Sequence, residues 1–168
     1  MFQTVCIPAV ISKATLKREM DDEESYRVAD VSIVIEPFSQ ELADELGEHV
    51  GRHLFDALGM RPEVEDITIG LRVPSQRVIV ASAPDAPTLA ELKDVRIGDL
   101  TIVRKAKGDR DWFRATVAAR IDLRERVIRE FLFHHFGELR RFTFVSEQMD
   151  MPFHRSESSG DSSEATRH

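Results

Sequence analysis

The 168-residue chain has one cysteine, Cys6, so it cannot close an internal disulfide. That excludes a small stapled scaffold and fits a reducing compartment. Cys6 stands between Val5 and Ile7, with no histidine or acid beside it in sequence. It therefore reads as a small buried hydrophobe rather than a nucleophile. No hydrophobic run approaches the length of a membrane span, and Met1–Val10 lacks a basic region followed by an apolar core. The chain is expected to stay in the compartment where it is made.

Catalytic signatures are also missing. Gly98 and Gly108 are isolated, so no glycine-rich loop is present to cradle a phosphate. No serine lies in a nucleophile elbow. His49 and His53 stand four apart on a predicted helix, the spacing that puts two imidazoles on one metal, but without an HExxH order. Leu46, Val50 and Leu54 put His53 at the core's border and His49 on the flank. His134 and His135 point about 100° apart on a second helix, with no third ligand. Asp21, Asp22, Glu23 and Glu24 lack the alternation and glycine of a calcium loop and read as a solvated turn. The expectation is a non-enzyme with no metal and no cofactor; a metal-dependent enzyme built from these acids and histidines is the remotest rival.

What the chain does have is a regular alternation of period-two and period-3.6 patterns. Residues 3–18 read as a long strand with a bulge near Pro8, followed by an acidic turn at Asp21–Ser25 and a strand over Arg27–Glu36. Ser39 suits the N-cap of a helix from Gln40 to Leu58, striped by Leu42, Leu46, Val50, Leu54 and Leu58. Gly47 and Gly51 weaken that helix and suggest close approach to a sheet. Asp66–Val73 and Gln76–Ala81 read as strands joined tightly at Pro74-Ser75. Val95–Lys105 and Trp112–Ile121 form a further pair around Lys107–Arg110. A second helix is predicted from a cap at Asp122 to Phe136, and a last strand over Leu139–Ser146. The order β-β-α-β, an extra strand, then β-β-α-β predicts a two-layer α+β domain over residues 1–146. It comprises a mainly antiparallel sheet of six to seven strands with two helices on one face. Residues 147–168 read as a flexible tail.

The net charge of −7 argues against bulk attraction to nucleic acid, but its distribution is uneven. Residues 1–100 sum to −9, residues 101–141 to +5 and residues 142–168 to −3. The middle block carries Arg104, Lys105, Lys107, Arg110, Arg114, Arg120, Arg124, Arg126 and Arg129, with Trp112 and Phe113 among them. Cations for phosphates beside a ring for stacking are the parts of a single-strand binder. The candidate contact residues are Arg104, Lys105, Lys107, Arg110, Trp112 and Arg114.

The tail carries a second signal. After the last strand come Gln148-Met149-Asp150-Met151-Pro152-Phe153, and then a run of serine, glycine and charge with nothing apolar larger than alanine. The hexamer resembles the peptide by which bacterial polymerases, repair proteins and replication regulators dock on the DNA sliding clamp. Gln148 matches that family's glutamine, Asp150 its favoured small polar position, and Met151 and Phe153 its two apolar anchors; Pro152 is the inserted residue of the longer form. Methionine at 151, where leucine is commoner, and Met149 depart from the pattern. More faintly, the whole chain resembles small accessory proteins encoded beside recombination genes in bacteriophages and prophages.

The resemblance implies a non-enzymatic adaptor in the cytoplasm of a bacterial host, docking on the replicative sliding clamp through Gln148, Asp150, Met151 and Phe153. It would serve DNA replication, recombination or repair. One rival is a single-strand nucleic-acid-binding module using residues 101–129. Another is an acidic phage inhibitor that binds a host nucleic-acid enzyme through the negative N-terminal portion.

Overall fold

A computed structural model describes residues 4–71 and 75–146. Nine strands and three helices follow in the order β1 (Thr4–Asp21), β2 (Glu24–Ile35), α1 (Gln40–Leu46), α2 (Glu48–Leu54), β3 (Phe55–Asp56), β4 (Gly59–Met60), β5 (Asp66–Gly70), β6 (Gln76–Ala81), β7 (Thr88–Lys107), β8 (Arg110–Asp122), α3 (Arg126–His135) and β9 (Leu139–Ser146). The class is α+β with a mainly antiparallel sheet, as alternation in the sequence indicates. The architecture differs from two open layers. The ring β1-β2-β8-β7-β6-β9 returns to β1, every pair antiparallel, and closes a six-stranded barrel, with β5 added on the edge of β7.

Two long strands make closure possible. β1 pairs with β9 through its first half and with β2 from Val10 onward. β7 pairs with β6 over Thr88–Val95, then with β8 from Arg96 to Lys107. Each strand bends around the barrel and belongs to two walls. Bulges supply the bends, between Thr4 and Ile7, between Ile11 and Lys13, and between Ile97 and Leu100. The kink expected at Pro8 is thus shared between the sites on either side of it. Cys6 falls in the first bulge with φ 59°, half-buried, its N–H donating to Thr143 Oγ1 at 3.1 Å.

The interior is filled by one parity of each strand: Ile7, Ala9 and Ile11 from β1, Val31, Ile33 and Ile35 from β2, Leu100 and Ile102 from β7, Ala115, Val117 and Ala119 from β8, and Phe142 and Phe144 from β9. Burying this apolar set is the main stabilising term of the fold.

The long helix expected over Gln40–Leu58 is two helices and a small hairpin. Ser39 does cap α1, its Oγ accepting from the Leu42 N–H at 3.3 Å. Gly47 then leaves helical geometry at φ 155°, ending α1 and starting α2 on a new axis. The close approach at Gly51 is to α1 rather than to a sheet, since a Cβ there would meet the Asp44 carboxylate. His53 is exposed, not at the core's border. β5 and β6 do not form the expected hairpin: β5 pairs only with β7, and β6 lies between β7 and β9. α3 begins at Arg126 rather than Asp122, whose carboxylate instead accepts from the Arg124 N–H at 2.8 Å. Ile128, Phe131 and Leu132 of α3 join the core, whereas Val127 and Phe136 are exposed.

Candidate nucleic-acid interface

The β7–β8 hairpin fixes which side chains share its outer face. Lys107 pairs with Arg110, Lys105 with Trp112, Val103 with Arg114, and Thr101 with Thr116. Alternate residues of a strand face alternate sides. Leu100, Ile102, Phe113 and Ala115 point into the barrel. Lys105, Lys107, Arg110, Trp112 and Arg114 therefore stand together on the outside. Lys105, Lys107 and Arg110 make no ion pair among the described residues, so their charge faces solvent.

Arg104 has the opposite parity and turns to its own chain. Its Nε donates to the Val64 carbonyl at 2.9 Å, Nη1 to Asp111 Oδ2 at 2.9 Å, and Nη2 to the Arg61 carbonyl. The guanidinium also lies 5.4 Å from the centre of the Phe113 ring. This arginine pins the 61–64 segment to the hairpin, and it is separated from the outer group.

Glu36, just beyond β2, organises the outer aromatic. The Trp112 indole N–H donates to Glu36 Oε1 at 2.6 Å, and Arg114 Nε lies 3.6 Å from Oε2. Trp112 is thereby held at one edge while Lys107, Arg110 and Pro37 line a pocket of about 390 Å³ beside it. A ring fixed through its N–H with a solvent-facing flank is suited to stacking.

The same face continues away from the hairpin tip. Across β1, β2 and β8 the outward positions form the rows Lys13, Ser32, Ala118 and Thr15, Asp30, Arg120; Arg96 of β7 lies opposite Arg120, and the Ile97–Leu100 bulge brings Gly98 beside Ala118. The small residues Ser32, Gly98 and Ala118 leave a groove of about 650 Å³, bounded by Lys13, Lys17, Arg96 and Arg120.

A charge network sits in this groove. Arg120 holds Asp30 with two parallel hydrogen bonds, 2.6 and 3.1 Å long, and also reaches Glu19. Lys17 Nζ lies 2.5 Å from Asp30 Oδ2. Hydrogen bonds from Arg120 and then Lys17 hold the Asp30 carboxyl at about 2. Glu19 accepts from the Tyr26 hydroxyl at 2.8 Å, which lowers its pKa despite desolvation, and Arg96 lies 3.5 Å away. Asp30 and Glu19 are compensated, and Asp99 is the groove carboxylate with no ion pair among the described residues.

The remaining cations of the basic block are committed elsewhere. Arg124 pairs with Asp122 and stacks 4.4 Å from the Tyr26 ring centre; Arg126 bonds Glu130; Arg129 donates to the Leu123 and Arg124 carbonyls. The sequence reading missed Lys13 and Lys17, which come from β1, and Arg96, which lies on β7 ahead of the basic block. The period-two spacing of Lys13, Thr15 and Lys17 was the available signal.

The histidines and acids do not assemble. His49, His53 and His134 are exposed, and half-buried His135 accepts from Arg140 Nε at 3.1 Å. Asp22 and Glu23 form the β1–β2 turn with φ of 42° and 75°. Among the described residues no group of three or more His, Cys, Asp or Glu is placed to hold a metal ion, and no helix is long and apolar enough to cross a membrane. Gln148, Asp150, Met151 and Phe153 lie outside the described residues. No protein-family model, curated protein or solved structure matches this chain.

Proposed function

We propose that the protein is a non-enzymatic binder of single-stranded nucleic acid, using the outer face of the β7–β8 hairpin. The observation that carries this reading is the register, which sets Lys105 opposite Trp112 and Lys107 opposite Arg110, three cations that make no ion pair among the described residues. Charge tracks the phosphate backbone, and the ring supplies a stacking surface that tolerates any base. The overall charge of −7 opposes binding at long range, so affinity rests on this local face and is steeply dependent on salt.

Trp112 is the chain's one tryptophan, so its fluorescence reports on the site directly. Titration with an oligothymidylate at low salt is expected to quench it, with log K falling linearly against log salt at about −0.7 per phosphate neutralised. Lys105→Glu, Lys107→Glu and Arg110→Glu together should remove binding while the fold persists. Unquenched Trp112 with no oligonucleotide bound at low salt would refute the reading.

A second reading rests on the C-terminal peptide: an adaptor that docks on the bacterial replicative sliding clamp. Two apolar anchors, Met151 and Phe153, with Gln148 fixing register and Asp150 just ahead of the first anchor, support it. The two readings are compatible, since a clamp-tethered protein works beside exposed strands. A peptide of residues 144–158 is expected to bind the clamp at micromolar strength, and Met151→Ala with Phe153→Ala to abolish it. Unchanged binding by the doubly substituted peptide would sink it.

A further inference from the structure

We propose that the groove bounded by Lys13, Lys17, Arg96 and Arg120 is the second half of one continuous path, along which the strand engaged at Trp112 continues. This rests on the single-strand reading above and extends it along β7 and β8 to a second site completed by β1 and β2.

Four observations support the path. The outward positions run without interruption from Lys107 and Arg110 through Trp112, Arg114 and Thr116 to Ala118 and Arg120 of β8. Ten residues of β8 separate Arg110 from Arg120, about 33 Å of extended chain. That length suits a strand of several nucleotides, within the roughly 4–16 that small barrels cover. Next, the floor is cut back to Ser32, Gly98 and Ala118, giving about 650 Å³ where larger side chains would fill the face. Third, the groove's acids are mostly compensated: Arg120 and Lys17 neutralise Asp30, and Tyr26, Arg120 and Arg96 hold Glu19. Lys13 has no partner among the described residues, so it is the groove's uncommitted phosphate contact. Finally, Asp99 is an acceptor among cations, a group that repels phosphate but accepts from a base N–H, the thymine N3–H included. Cations at the walls and an acceptor in the bed fit a strand lying lengthwise, phosphates outward.

The test compares oligothymidylates of about 5 and about 16 nucleotides on the full chain, with Trp112 fluorescence and anisotropy as readouts. Two exposed groove positions are changed separately: Ala118→Phe fills the floor, and Lys13→Gln removes the free charge. The long oligonucleotide is expected to bind wild type at least tenfold more tightly than the short one. Ala118→Phe should erase that excess and leave the short oligonucleotide's affinity unchanged. Lys13→Gln should lower the salt slope of the long oligonucleotide alone by about 0.7. Thermal melting checks that both variants fold, and Lys13→Gln alone decides if Ala118→Phe does not. An excess and slope untouched by the folded variants overturn the groove while leaving hairpin binding intact. Failure of the short oligonucleotide to bind or quench Trp112 overturns the hairpin reading, and the groove with it.

Discussion

Arg120 and Asp30 face each other across β8 and β2, joined by two parallel hydrogen bonds of 2.6 and 3.1 Å. The pair fastens the barrel wall and removes one carboxylate from the field of the groove. Asp30 titrates at about 2, below the ordinary value of 3.8, so its contribution is fully present above about 4 and is lost as pH falls through 2. Asp30→Asn is expected to cost about 1 kcal/mol at neutral pH, discounted for a side chain 30% exposed. Urea unfolding at pH 6 and pH 2 should show that difference at the first value and little of it at the second.

Arg104 is expected to act on stability and not on binding. Its guanidinium satisfies two backbone carbonyls and Asp111, so Arg104→Gln should cost about 2–4 kcal/mol. Arg104→Lys restores the charge without the planar fork and should recover only part of this. The salt slope of oligonucleotide binding should be unchanged in both, which separates Arg104 from Lys105 and Lys107.

Gly47 occupies backbone space at φ 155° and ψ 139° that is open almost only to glycine. Gly47→Ala should cost about 1–3 kcal/mol. A Cβ would also fall 2.7 Å from the His49 ring, but that ring is exposed and can swing aside. The melting temperature of Gly47→Ala and of Gly47→Ala with His49→Ala should therefore fall almost equally.

His135 stacks 5.0 Å from the Phe131 ring, and burial, then Arg140 and His134, lower its pKa from 6.5, while Glu138 opposes them. The unfolded chain therefore binds a proton there more readily, so stability falls as pH drops below about 6.5. His135→Gln should shrink the loss of melting temperature between pH 7.5 and pH 5.5. An equal loss in both proteins would remove this role.

Strand identity was legible because each strand repeats with period two: Ile33 and Ile35, or Ile67 and Ile69, announce their own face. Closure was not, because it depends on which strands meet across more than a hundred residues, as Ile7 and Phe142 do. Local pattern carries no information on such partners. The hairpin's parity was available in principle, since Arg104 falls in step with Leu100 and Ile102 and so points inward. Counting cations along the chain blurred that distinction. The break at Gly47 escaped notice because the leucine stripe runs through it, and a stripe reports burial without requiring a continuous axis. The groove escaped because Lys13, Lys17 and Arg96 join Arg120 only once the barrel has formed.

The seam between β1 and β9 also sets an order of events during synthesis. Thr4 sits opposite Phe144, so the strand made first waits for the strand made last. Until then the N-terminal half of β1 offers bare amides and carbonyls to any passing chain. Contacts of such wide separation slow folding, and a growing polypeptide can lock its wall only after nearly the whole barrel has been made.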